Sequence, residues 1–190
     1  MGLIDRKVLI VDGDGNPTGE DNPQPVQAGG YAKKPSGTLT RPANMTAYTA
    51  EDEVATNGTS ALAISVARVN GGTGFIVGGR LIYSSNPTVT PQFRAILFND
   101  AVTLAGDNTP LALSDADAAK FIGYIDFTAS QPGGSASSSN LMIGGAPIAP
   151  IAFETQSGVA TIYVALITKI GFTPIANSET IQISLDTDRD

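Results

Sequence analysis

Two groups of carboxylates have the types and spacing that hydrolytic chemistry requires. Glu51, Asp52 and Glu53 are consecutive, and Asp115 and Asp117 flank one alanine. A glycoside hydrolase uses two such groups, one protonated and one ionised, and the protonated one needs an apolar setting that raises its pKa. Neither group has that setting. The first follows Tyr48-Thr49-Ala50 in a polar segment and the second opens a helix, so a solvated turn and a helix cap are the expected roles.

Three further arrangements invite a chemical reading. Asp12-Gly13-Asp14-Gly15-Asn16 matches the first oxygen positions of an EF-hand loop, but Pro17 stands where the sharp turn needs glycine and Pro23 where a bidentate glutamate belongs. A structural turn is expected there, with incidental weak calcium binding as the alternative. Gly71-Gly72-Thr73-Gly74 lacks the Lys-Ser/Thr of a phosphate loop and opens a strand, where no helix N-terminus faces an anion. Thr168-Lys169 lies within a strand, which sends the two side chains to opposite faces. Asn44-Met45-Thr46 and Asn57-Gly58-Thr59 match the glycosylation triplet by chance in an Asn- and Thr-rich chain.

The 190 residues include no histidine, cysteine or tryptophan. The commonest general base, the commonest nucleophile and metal ligands, and the best sugar-stacking ring are therefore missing. No catalytic residue, metal ligand set or cofactor is expected. Charged residues make up 15% of the chain, against roughly a quarter in an average soluble domain, so the surface is built from small polar groups that suit protein contact. The net charge of −7 argues against a nucleic-acid partner. The longest apolar-rich run, Ala160 to Ile170, is too short to span a bilayer and carries Lys169, and neither a membrane partner nor a signal peptide is expected.

The elements that must position these residues read as strands and turns. Leu62 to Val69, Phe75 to Ser84, Gln92 to Phe98, Phe121 to Phe127, Thr161 to Ile170 and Thr180 to Asp186 have strand character, with Gly78-Gly79 as a bulge. In the first of these, Leu62, Ile64, Val66 and the stem of Arg68 share one face. In the fourth, Phe121, Gly123, Ile125 and Phe127 do the same. Thr161 to Ile170 is nearly all apolar, as a central strand covered on both faces would be. Ser114 is placed to cap one short connector helix, with Asp115 and Asp117 in its first turn and Lys120 at its end. Gln131 to Asn140 is a Gly- and Ser-rich loop. About eight strands without crossover helices predict an all-β fold, an antiparallel β-sandwich of jelly-roll type.

Residues 1–40 differ from residues 41–190 and are expected to form an extended N-terminal arm on the sandwich domain. Lys7 to Val11 reads as a short strand, and Asp21 to Gly37 is rich in Pro and Gly. Through Arg41 five basic residues balance five acidic ones; of the eleven and eighteen in the chain, six and thirteen remain, so the body carries the net charge. Such an arm can add a strand to a neighbour's sheet edge, with Lys7 to Val11 or Leu39 to Pro42 as the pairing segment. Lys33, Lys34, Leu39 and Arg41 are the candidate interface residues.

Thr40-Arg41-Pro42-Ala43-Asn44-Met45-Thr46-Ala47-Tyr48-Thr49-Ala50-Glu51-Asp52 resembles an Arg-Pro-Ala…Thr-x-Tyr-x-x-x-Asp segment of tailed-bacteriophage structural proteins. Val66 to Ile76, Gly79 to Ile82, Pro91 to Phe98, Asp107-Asn108 and Asp115 to Asp117 resemble the same proteins, so the likeness spans Leu39 to Phe127. It implies a head decoration (cement) protein: a β-sandwich or jelly roll, made in the host cytoplasm, on the exterior of the virion capsid. The implied partners are the major capsid protein and further copies of the chain, as a homotrimer or a dimer. No catalytic residues come with this family. A phage receptor-binding or tail-spike carbohydrate-binding module is the alternative reading.

Overall fold

A computed structural model describes residues 32–132 and 141–189. Nine strands and one helix follow in order: β1 (Ser36–Thr40), β2 (Leu62–Ser65), β3 (Thr73–Tyr83), β4 (Phe93–Phe98), α1 (Asp115–Ala118), β5 (Phe121–Pro132), β6 (Leu141–Ala146), β7 (Ile151–Glu154), β8 (Thr161–Thr168) and β9 (Thr180–Arg189). Every pairing is antiparallel. The strand order is β1-β9-β3-β6-β5-β4-β8-β2, with β7 added against β3.

Apart from β7, this order is that of a jelly roll. One half is β1-β9-β3-β6 and the other β5-β4-β8-β2, and the chain changes half at every connection except β4 to β5. The β5–β6 pairing joins the halves, so one rolled sheet supplies both layers. The two edges then meet: a methyl group on Gly37 of β1 would lie 3.1 Å from Ile64 Cγ1 and 3.2 Å from both Leu62 methyls of β2.

Period-two alternation fills the interior. Ile181, Ile183 and Leu185 of β9 share one core cluster with Leu81, Tyr83, Ile125, Phe127 and Ile143, all without solvent contact. Full burial of each large side chain contributes about 1.5–3 kcal/mol before ordering costs. β8 is covered on both faces as its composition predicts. Val164 and Leu166 belong to this core, and Ala165 packs outward with Ala55, Phe98, Val102 and Leu104 of a second cluster. Ser114 caps α1, its Oγ accepting from Asp117 N at 3.1 Å, and Lys120 pairs with Asp117 at 2.9 Å.

Several sequence expectations shift. Residues 36–40, assigned to the arm, form β1 and pair with β9. β2 stops at Ser65, so Arg68 is exposed in the following turn and not on the inward face. Phe121 is 49% exposed while Ile125 and Phe127 are buried, because the β4–β5 register slips between Leu97 and Phe98 and reverses the alternation. Gln131 and Pro132 belong to β5, not to a loop. The Gly78-Gly79 bulge appears as a register shift between Ile76 and Gly78. The Lys7 to Val11 strand, the Asp12 to Asn16 turn and residues 133–140 lie outside the described residues.

Candidate interaction surface

The four candidate interface residues divide into two pairs. Leu39 is 5% exposed and lies opposite Ile181 of β9, so its backbone and side chain are occupied within the chain. Arg41 is 2% exposed. Its Nη1 donates to Glu179 Oε2 at 2.9 Å, its Nε donates to the Tyr48 hydroxyl at 2.6 Å, and its guanidinium stacks over the Tyr48 ring. Both were expected to contact a partner; instead, both hold the end of β1 in place. Lys34 and Lys33 are solvent-exposed. Lys34 approaches Asp186 at 3.6 Å, a pair too exposed to matter much to stability.

Around Arg41 a buried polar network replaces solvent. Tyr83 donates to Glu179, the amides of Ile175 and Ala176 donate to the other Glu179 oxygen at 3.0 Å, and the Tyr48 hydroxyl donates to Asp107 Oδ1 at 2.6 Å. Burial foremost, then the neighbouring carboxylates, push both tyrosines well above the ordinary phenol value. Burial alone would lower the Arg41 pKa, but Tyr48, Tyr83 and Asp107 outweigh it and raise it. Every polar group here has a structural partner except Arg41 Nη2 and Asp107 Oδ2.

Asp52 and Glu53 correct the expectation of a solvated turn. Asp52, 4% exposed, accepts from Thr49 N at 2.6 Å and Thr49 Oγ1 at 3.0 Å. Glu53 has no solvent contact and accepts from Gly106 N at 2.8 Å and Ala105 N at 3.3 Å. Glu51 is exposed, and Asp117 serves α1. Thr168 is buried and donates to Thr49 O at 2.5 Å, while Lys169 pairs with Asp126 at 2.7 Å. Among the described residues no cluster of three or more acidic groups is placed to hold a metal ion.

The opposite end of the body is less self-satisfied. Register fixes which residues gather there: Gly74 faces Arg189, Ile76 faces both Thr187 and Ile151, Ser65 faces Thr161, and Phe98 faces both Phe121 and Tyr163. At this end lie the exposed side chains of Val69, Phe75, Phe121, Ile148 and Val159, half of the ten large apolar side chains exposed among the described residues. Ile148 is 96% exposed and, with Phe121, Tyr124, Pro147 and Ile151, lines an apolar cleft of about 230 Å³. Four of the other five, Met45, Val89, Met142 and Ile175, lie toward the Arg41 end, so what distinguishes this end is the apolar cleft around Ile148 and not the number of exposed side chains.

A second cleft at the same end, about 480 Å³, is lined by Lys33, Ser65, Ala67, Arg68, Ala160 and Arg189. Of nine basic residues among the described ones, five are ion-paired. Three of the other four line this cleft. Sequence reasoning placed only Lys33 near an interface. A signal for Arg189 was present, because the inward parity of Ile181, Ile183 and Leu185 continues through Thr187 to Arg189.

A polar cleft of about 440 Å³ lies at the Arg41 end, bounded by Asn44, Thr46, Asn57, Thr59, Asp107 and Asn108 among others. The two glycosylation-like triplets thus share one groove. No family model, curated protein or solved structure matches the chain.

Proposed function

We propose that this chain is a decoration protein of a tailed-phage head, which seats the Arg189 end of its jelly roll on the major capsid protein and stabilises the shell by bridging subunits. The apolar cleft lined by Phe121, Tyr124, Pro147, Ile148 and Ile151 at that end, with Ile148 almost wholly in solvent, carries the reading, since apolar side chains exposed together favour a protein partner. The jelly-roll order supports it by analogy, the fold recurring in capsid proteins, as does the resemblance of Leu39 to Phe127 to phage structural proteins. A protein that binds only the assembled shell favours that state by mass action, and many copies, self-associated as trimers or dimers, do so without high individual affinity. The role needs contact and no turnover. Purified protein added to expanded empty heads should co-sediment with them and raise their melting temperature, and Ile148→Asp should abolish both effects. Binding to tail tips with none to heads would refute the reading.

The polar cleft favours a second reading, a receptor-binding module for host glycans. Asp107 Oδ2 and Asn108 Oδ1 border it, buried and without hydrogen-bond partners, and could accept sugar hydroxyls. Reproducible glycan-array hits lost in Asn108→Ala, with no binding to heads, would put this reading first.

A further inference from the structure

We propose that the cleft lined by Lys33, Arg68 and Arg189 is an oxyanion-binding site that takes a carboxylate or phosphate group. Its floor is built. Arg189 is 6% exposed; its Nε donates to Thr187 Oγ1 at 3.1 Å and its Nη1 to the Ala67 carbonyl at 3.4 Å. Thr187 Oγ1 in turn donates to the Lys33 carbonyl at 3.1 Å, and Lys33 and Thr187 exchange backbone hydrogen bonds of 3.1 and 3.0 Å. The amides of Val66 and Ala67 are clamped on Ala160 O at 2.9 and 3.0 Å. One hydrogen-bonded frame therefore sets the floor and both rims.

Charge identifies the ligand. Both acceptors that hold Arg189 are neutral, and among the described residues its Nη2 is buried without a partner and no carboxylate offsets the burial that lowers its pKa. A buried guanidinium without a counter-ion is costly, and an anion entering the cleft relieves that cost. Lys33 and Arg68 stand exposed at the rim with no ion pair among the described residues, and their side chains carry donors only. Ser65 adds a hydroxyl to the lining. In a chain of net charge −7, such a concentration of unpaired cations is a local reversal of the overall field. The volume exceeds a single carboxylate, so the cleft also accommodates phosphate or an acidic side chain presented by another protein surface.

Calorimetric titration of the full chain at low ionic strength tests this, with inorganic phosphate in one arm and a peptide of alternating Asp and Gly in the other. The expected result is saturable one-to-one binding in at least one arm, weakened about tenfold or more by Lys33→Gln/Arg68→Gln, which removes both rim cations. Both positions are exposed, so the variant should fold. Arg80→Gln removes an exposed cation outside the cleft, with no ion pair among the described residues, and should leave binding unchanged. A third variant, Arg189→Met, keeps the apolar stem, so a chain that melts normally but binds nothing would identify the buried charge as the determinant. Phosphate binding alone would name a free ion as the ligand, and tighter binding of the peptide an acidic protein surface. Absence of saturable binding in both arms would overturn the proposal, as would equal weakening by Arg80→Gln. Neither outcome depends on whether the protein binds heads.

Discussion

Arg41 and Glu179 meet at 2.9 Å across 138 residues of chain, with both side chains shut off from solvent. The pair fastens the end of β1 to the start of β9 and carries Tyr48 and Tyr83 with it. Removing one partner of a buried ion pair strands the other, so Arg41→Met should lower the unfolding free energy by about 3–5 kcal/mol in urea titration. Arg41→Lys should rescue only part of this, because a point charge cannot reach Glu179 and Tyr48 together as the guanidinium fork does.

Acid should act on Glu179 and Glu53 in opposite senses. Burial pushes the Glu179 pKa up, but hydrogen bonds from Tyr83, Ser85 and the amides of Ile175 and Ala176 leave it below the ordinary value of 4.5. Its stabilisation is thus present above about pH 4.5 and lost as pH falls through the depressed native value. Burial raises Glu53, and the amides of Gly106 and Ala105 offset this only in part. Its preference is fully present below about pH 4.5 and lost as pH rises through the raised native value. Urea midpoints measured from about pH 3 to 7 should show Glu179→Gln flattening the acid-side loss and Glu53→Gln removing a loss on the rising side.

Adjacent glycines of β6 should differ sharply. A methyl group on Gly145 would lie 2.7 Å from Asp126 O and from Phe127 Cδ1, whereas one on Gly144 would meet nothing within 4 Å. Gly145→Ala should destabilise by about 1–3 kcal/mol or more, and Gly144→Ala should be near neutral, as read by thermal or urea unfolding.

Leu39 and Lys34 separate fold from surface within one short stretch. Leu39→Ala should cost about 2–5 kcal/mol because the side chain is core. Lys34→Ala should change stability by less than about 0.5 kcal/mol, since the pair it makes with Asp186 is long, at 3.6 Å, and open to solvent on both sides.

What could be read from the sequence was whatever is governed by local periodicity. The burial of Ile181, Ile183 and Leu185 follows from alternation, the two-sided burial of β8 from an unbroken apolar run, and the α1 cap from Ser114 and its acidic followers. The Arg41 and Glu53 partners were not legible, because each lies far along the chain: Glu179 in one case, the amides of Ala105 and Gly106 in the other. Phe121 was misplaced for a different reason, a one-residue slip that alternation cannot reveal. Sequence spacing gave no hint that Lys33, Arg68 and Arg189 share a cleft, since only the β1, β2 and β9 ends bring them together.

The position of β9 governs how the molecule can be made. It lies between β1 and β3 rather than at an edge, and β1 has no hydrogen-bonded strand neighbour until residues 180–184 arrive. A nascent chain on the ribosome therefore holds an open half-sheet until its last described strand has emerged, and such non-local pairing folds slowly, on the scale of milliseconds to seconds. A stop codon before Thr180 would remove the strand that joins β1 to β3 and leave both without that partner.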